Sequence, residues 1–340
     1  MSRMVWAWVR LLGGAAILVV LVARLGTGPF LHGLRTISGE SLAVAAGLTL
    51  VTTVCSAWRW QTVARGLGVS LRLVPATAAY YRSQFLNTVL PGGILGDVHR
   101  AVSHGRHVGD VGRGLRAVAW ERSAGQVLQV GIVLLVLVTL PSPVRRFVPV
   151  VLAAVLVLGI VAAVAIQALP QAGPSRRARA LRAASADVRH GLLARQSWPS
   201  VLAASVVVIA GHTATFFVAV RTVGVQAPIL AMLPLVTLVM LAMAIPTNIG
   251  GWGPREGAAA WLFGLAGLGA GQGVAAATVY GVMVLVGTLP GAVVLVAAWA
   301  SGHRRAETGP APTPETAAGG SEGAEVRTTN QSRAGGVSCG

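Results

Sequence analysis

Lysine is missing from this chain: its 27 strongly basic side chains are all arginine. Schiff-base chemistry on a side-chain amine is therefore excluded. Acidic residues are scarce, 10 in 340, and charged residues make up 11% of the chain, against about 25% in soluble domains. Cysteine occurs twice, Cys55 inside an apolar run and Cys339 near the C-terminal end. That supplies neither a disulfide framework nor a thiolate cluster. His99, His104 and His107 have no acid or thiol at metal-ligand spacing. Nucleophile elbow, phosphate-binding loop and dinucleotide fingerprint are all missing, so no cofactor or metal is expected and direct use of ATP is not.

What the chain has in excess is apolar sequence. With 54% hydrophobic residues and a mean hydropathy of +0.70, it reads as an all-α polytopic membrane protein. The formal charge of +17 does not point to nucleic acid. Its arginines fall in short clusters between apolar runs, where the positive-inside rule puts them on cytoplasmic loops.

Val5 to Ala23 is the first expected span, retained rather than cleaved, with Gly26 to Gly39 as a short connection. Ser41 to Trp60 is the second, and Trp58-Arg59-Trp60 reads as arrival at the cytoplasmic interface. Further spans are expected at Ala117–Leu140, Val148–Ala168, Pro199–Val220 and Val274–Ala300, with an arginine-rich cytoplasmic linker from Pro170 to Gln196. Residues 1–302 form the transmembrane domain in this reading, and 303–340, rich in small and polar residues, a disordered cytoplasmic tail. Both termini are then cytoplasmic, in a bacterial-type plasma membrane.

Two stretches do not fit continuous spans. Leu73 to Asp97 contains Pro91-Gly92-Gly93, and a full crossing there would put the basic loop after it on the wrong side. It is also too short for two crossings, each of which needs about 20 residues. A re-entrant element from the cytoplasmic side satisfies both constraints. Pro246 to Glu256 repeats the pattern, with Gly250-Gly251 followed by Arg255 and Glu256, as an element re-entrant from outside. The total is about six full spans plus two broken or re-entrant elements, equivalently eight membrane segments, with a possible inverted repeat. Eight continuous spans with two Pro/Gly kinks is the alternative. Positions 105 and 224 should lie on opposite sides.

The breaks hold the candidate binding residues. Asp97 and Arg100 share a helix face if the chain turns helical after Gly96. Gly92 and Gly93 permit close backbone approach and a nest of free amides. Arg82 offers a planar donor fork suited to phosphate, and Asn87 lies in the same element. In the second break, Arg255 and Glu256 are adjacent and diverge by about 100° on a helix, so they need not pair. A carboxylate at Glu256 suits a helix start. Asn248, Gly250 and Gly251, with Thr247 and Trp252, complete that element. Glu121-Arg122 reads as a weaker candidate that marks an interface, and His212, in a polar run inside a span, as a packing residue or, alternatively, a donor to a neighbouring helix.

The pattern Asn87, Leu90-Pro91-Gly92-Gly93, Gly96-Asp97 and Arg100, followed by Pro246, Gly250-Gly251, Gly253 and Glu256, resembles the transmembrane region of lysylphosphatidylglycerol synthase and related flippase-like proteins. The resemblance covers roughly Val5 to Ala300. It implies binding or translocation of a membrane lipid, either a phospholipid or a polyprenyl phosphate, with Asp97, Arg100, Arg255 and Glu256 at the matching positions. The soluble aminoacyl-transfer domain of the bifunctional relatives has no counterpart here, so synthase activity is not implied. The alternative is a membrane enzyme of envelope glycolipid synthesis or a non-transporting partner of an envelope glycosyltransferase. Carboxylates within metal reach of one another would favour the enzyme, and carboxylates each paired with an arginine would favour transport.

Overall fold

The structure is a computed structural model, and it describes residues 3–91, 93–142, 145, 149, 153, 187, 194, 197–244 and 252–307. All but two residues of the expected span Val148–Ala168, most of the linker after it, and the tail beyond residue 307 lie outside the described residues, as do Gly92, Thr247, Asn248, Gly250 and Gly251.

All described elements are helices, as composition requires. In chain order they are α1 (Arg3–Leu25), α2 (Gly28–Thr36), α3 (Gly39–Gly66), α4 (Leu73–Val89), α5 (Leu95–His107), α6 (Val111–Thr139), α7 (Trp198–Thr222), α8 (Ile229–Ala242), α9 (Pro254–Leu265), α10 (Ala270–Thr288) and α11 (Pro290–Glu307). The long helices α3, α6 and α7 and the run Ala270–Ala300 are each long and apolar enough to cross a membrane, and α1 with α2 forms a fifth candidate bent by 96°. The bend corrects the expected Gly26–Gly39 connection. Pro29 sits in the first turn of α2, where proline's missing N–H has no partner to lose and its fixed φ suits a helix start.

Local sequence explains the ends. Ser38 and Ser41 form a reciprocal capping box at the start of α3. Asp110 accepts from the Arg113 amide at 2.8 Å to open α6. Arg221 donates to the carbonyls of Val225 and Ala227, which clamps the α7–α8 turn.

Close contacts give the directions. A Cβ on Gly211 of α7 would strike Thr52 of α3, and Arg59 of α3 reaches Ser205 of α7 at 2.9 Å. The two helices are antiparallel, so α7 ends where α3 begins; there Ser38, Glu40, Arg221 and Ile229 surround one surface cavity. At the other end, Ala64, Val69 and Ala117 pack together where α3 finishes and α6 starts. Hairpin α4–α5 opens from this end of the bundle. Its arms touch at Gly96, whose N–H meets Asn87 and whose Cα faces the Ser83 carbonyl. Hairpin α8–α9 starts and finishes at the opposite end, because α8 follows α7 and α9 turns into α10 through Gly267 and Gly269, both at positive φ. The two broken elements therefore enter from opposite ends.

The chain divides into two compact units, Met1–Leu295 and Val296–Gly340. The first holds the core, centred on Phe216, Leu235, Val236, Phe263, Ala276 and Tyr280. Of the second, residues 296–307 are described and are helical.

By the positive-inside rule the α4–α5 end is expected on the cytoplasmic side. Gly105 packs against α6, with a built Cβ only 2.5 Å from Val111 Cα, and Gly224 has φ of 85°, so neither tolerates a probe. The exposed neighbours His107 and Gln226 do. In a background lacking Cys55 and Cys339, H107C is expected to react with a membrane-impermeant maleimide only from inside and Q226C only from outside. Reaction of both from one side would overturn the opposed hairpins.

Candidate functional site

Two helices begin immediately after the breaks, and each carries a carboxylate in its first turn. Asp97 is the third residue of α5 and Glu256 the third of α9, where unpaired amides and the helix dipole favour negative charge. Each carboxylate meets an arginine that lies on two aromatic rings. Arg100 sits over Trp60 at 4.5 Å and over Tyr80 at 4.2 Å, and donates to Asp97 Oδ1 at 3.0 Å. Arg255 sits over Trp252 at 5.1 Å and Tyr280 at 5.2 Å, and donates to Glu256 Oε1 at 2.9 Å.

The Asp97–Arg100 pair is the one that helical spacing predicts. The Arg255–Glu256 pair corrects the expectation that adjacent residues diverge. Glu256 folds back so that its Oε2 accepts from the Gly253 amide at 2.7 Å. Its other oxygen then lies within reach of the Arg255 guanidinium, in a space that exists because position 281 is glycine: a Cβ there would stand 2.5 Å from Arg255 Nη2.

Around the first hairpin the pairs extend into a chain of alternating charge. Arg59 donates to Glu121 Oε1 through Nε at 2.9 Å, Arg100 donates to Glu121 Oε2 at 3.2 Å and to Asp97, and Arg122 donates to Asp97 Oδ2 through Nε at 2.9 Å. The order is Arg59, Glu121, Arg100, Asp97, Arg122, with a guanidinium at each end. Ser205, Tyr80, Ser83 and Asn87 take up remaining positions on it. Glu121 is 0% and Arg100 1% exposed, so the chain is a core element. Burial of such charges is tolerable only with pairing; Arg100 makes both of its ion pairs through Nη2, while its buried Nε and Nη1 have no hydrogen-bond partner and the guanidinium lies over Trp60 and Tyr80.

Arg59, Glu121 and Arg122 are the residues that sequence reasoning undervalued. Trp58-Arg59-Trp60 does not form an interfacial belt: Trp60 is 1% and Arg59 5% exposed, and Trp58 alone of the three is at the surface. The available signal was the place of Glu121-Arg122, about 15 Å along a helix from its start at 1.5 Å per residue, beyond the depth of an interfacial pair.

Three cavities meet at Arg122 and Met243. One of about 230 Å³ lies among α3, α6, α7 and α10 and is lined by Arg59, Arg122, Gln126, Gln129, His212 and Tyr280. Another of about 370 Å³ lies between α5 and α6, with Asp97, Arg122 and Gln126 on its wall and Ile94, Val98 and Leu115 at its edge. The third, about 230 Å³, is lined by Asn87 and Gly93 from the first break, by Trp252 and Arg255 beside the second, and by Arg122 and His212. Thus the two breaks face one space. Arg122 retains 44% of its side-chain exposure although it is set among helices, because that surface looks into the cavities. His212 Nδ1 lies 3.1 Å from the Tyr280 hydroxyl, the contact with a neighbouring helix that was the alternative to packing.

Of the other expected residues, Gly93 turns the chain at φ of 61° and lines two of these cavities. Arg82, on α4, is half-buried, has no ion pair among the described residues, and does not line them. Gly92, Asn248, Gly250 and Gly251 lie outside the described residues. Among the described residues no group of three or more His, Cys, Asp or Glu is placed to hold a metal. Asp97, Glu121 and Glu256 are each held by arginine.

An all-helical bundle with several helices long and apolar enough to cross a membrane, two opposed hairpins and a charged interior defines a polytopic integral membrane protein. The match to a family model over residues 7–291 is more specific: the chain belongs to the family described as lysylphosphatidylglycerol synthase TM region. No curated protein matches the chain, and no solved structure does.

Removing Glu121 tests the structural part of the network. Glu121→Ala leaves Arg59 and Arg100 buried without their shared partner, and breaking a buried pair in this way costs about 3–5 kcal/mol. A large fall in the detergent-solubilised melting temperature is expected. Arg122→Ala, at the cavity-facing end of the chain, is expected to lower it far less. Equal melting temperatures for wild type and Glu121→Ala would show that the network does not hold the helices together.

Proposed function

We propose that this protein binds a phosphate-bearing membrane lipid and moves its headgroup between leaflets through the space shared by the two hairpins. The observation that carries this reading is Arg122, a guanidinium on a spanning helix that pairs with Asp97 through Nε and Nη2 and still keeps surface open to three cavities. An arginine at such depth marks a polar pathway, and its planar donor fork matches a phosphate. Arg255 faces the same space from the second hairpin. The cavity between α5 and α6 adds the amphipathic pattern a lipid needs, with Asp97, Arg122 and Gln126 on its wall and the exposed apolar side chains Ile94, Val98 and Leu115 at its edge. Headgroup and phosphate are held inside while the acyl or prenyl chains stay in the bilayer. Family membership supports a lipid role, and the opposed hairpins match the general architecture of alternating access. The engagement of all three core carboxylates by arginine favours transport over metal-assisted chemistry on the lipid.

Proteoliposomes carrying a trace fluorescent phospholipid, with reductive quenching of the outer leaflet, provide the test. The wild type is expected to speed exchange between leaflets over protein-free vesicles. Arg122→Ala and Arg255→Ala are each expected to slow it by about tenfold, the worth of one charge-assisted phosphate contact, and Asp97→Asn to slow it as well. A wild-type rate equal to that of protein-free vesicles would remove the transport assignment.

A further inference from the structure

We infer that the cavity selects lipids with an anionic phosphate and an uncharged, hydroxyl-bearing headgroup, and that it rejects lipids with a cationic headgroup. This rests on the lipid-handling reading above and narrows it.

The carboxylates explain this selectivity. Of the 10 acidic residues, Glu307, Glu315, Glu322 and Glu325 fall after the last span. Glu40 is exposed at the start of α3, Asp110 caps α6 and pairs with Arg113, and Asp187 pairs with Arg116. Among the described residues, only Asp97, Glu121 and Glu256 remain, and each is engaged by guanidinium groups. The segments outside the described residues between 143 and 251 contain no Asp or Glu, so they cannot bring another carboxylate to the cavity.

Pairing also leaves a surplus. Arg255 and Glu256 cancel, but Arg59, Arg100 and Arg122 face only Asp97 and Glu121, which leaves one positive charge. The two ends of that chain, Arg59 and Arg122, both line the same cavity. A monoanionic phosphodiester neutralises the surplus. An ammonium group meets two guanidiniums and no free acid, in a setting where like charges are poorly screened.

Gln126 supplies the second half of the specificity. Its Oε1 is buried without a hydrogen-bond partner and lines two of the cavities. It stands one helical turn beyond Arg122, so the two side chains share a face about 5–6 Å apart. A buried acceptor left unpaired is costly, and a headgroup hydroxyl satisfies it while the phosphate rests on Arg122.

The test compares acyl-labelled phosphatidylglycerol with acyl-labelled lysylphosphatidylglycerol, each at trace level in phosphatidylcholine vesicles containing wild type, Gln126→Glu or no protein. The wild type is expected to move phosphatidylglycerol faster by about tenfold or more, the effect of one unfavourable charge contact of roughly 1.4 kcal/mol. Gln126→Glu, which cancels the surplus positive charge beside Arg122, is expected to narrow that ratio by speeding the lysyl lipid. Equal or faster movement of the lysyl lipid by the wild type would overturn the inference while leaving lipid transport in place. An unchanged ratio in Gln126→Glu would overturn the assignment of selectivity to cavity charge. Failure of the wild type to move either lipid beyond protein-free vesicles would overturn the transport reading itself.

Discussion

The alternating chain Arg59, Glu121, Arg100, Asp97, Arg122 is the constraint on which the rest of this molecule depends. It joins α3, α5 and α6 directly, and α4 and α7 through Tyr80, Ser83, Asn87 and Ser205. In a bilayer the hydrophobic effect gives helices little reason to associate with each other rather than with lipid. Charge pairing and close packing at small residues supply the reason. Gly125 shows the two acting together, since a Cβ there would stand 2.8 Å from Arg59 Nη1 and keep the guanidinium from crossing α6.

Much of the architecture was legible because it follows from rules of the bilayer. Long apolar runs and two clusters of proline and glycine sufficed to place four of the expected spans and both hairpins among the described residues. Asp97 and Arg100 could be paired because three residues apart on a helix is a fixed geometry. Arg59 and Glu121 are 62 positions apart, and nothing local marks them as partners. Tryptophans beside Arg59 made an interface the simpler reading, whereas Trp60 instead forms one face of the Arg100 sandwich. At Arg255 and Glu256 helical geometry argued against contact, and the fold-back of Glu256 onto the Gly253 amide overrode it.

Each hairpin repeats one local plan: a break, a helix whose third residue is acidic, and an arginine held on an indole and a phenol ring. The plan is solved differently on the two sides. Asp97 is shared with Arg122 and so connects to the cavities, whereas Glu256 is closed on its own helix start and neighbour. The cavity-facing charge therefore comes from the side of the first hairpin through Arg122, and from the second through Arg255 itself.

The His212–Tyr280 hydrogen bond, at 3.1 Å, acquires a mechanical meaning in this setting. It links a helix of the charged network to the aromatic support of Arg255. Separating α3 from α6 requires several charged hydrogen bonds to break, each worth about 1.5–3 kcal/mol, whereas this neutral one is worth about 1. The first hairpin and its partners are thus built as a stator. The second hairpin packs on α6 and α7 through the apolar core instead, and the tyrosine that meets His212 also supports the arginine facing the cavity.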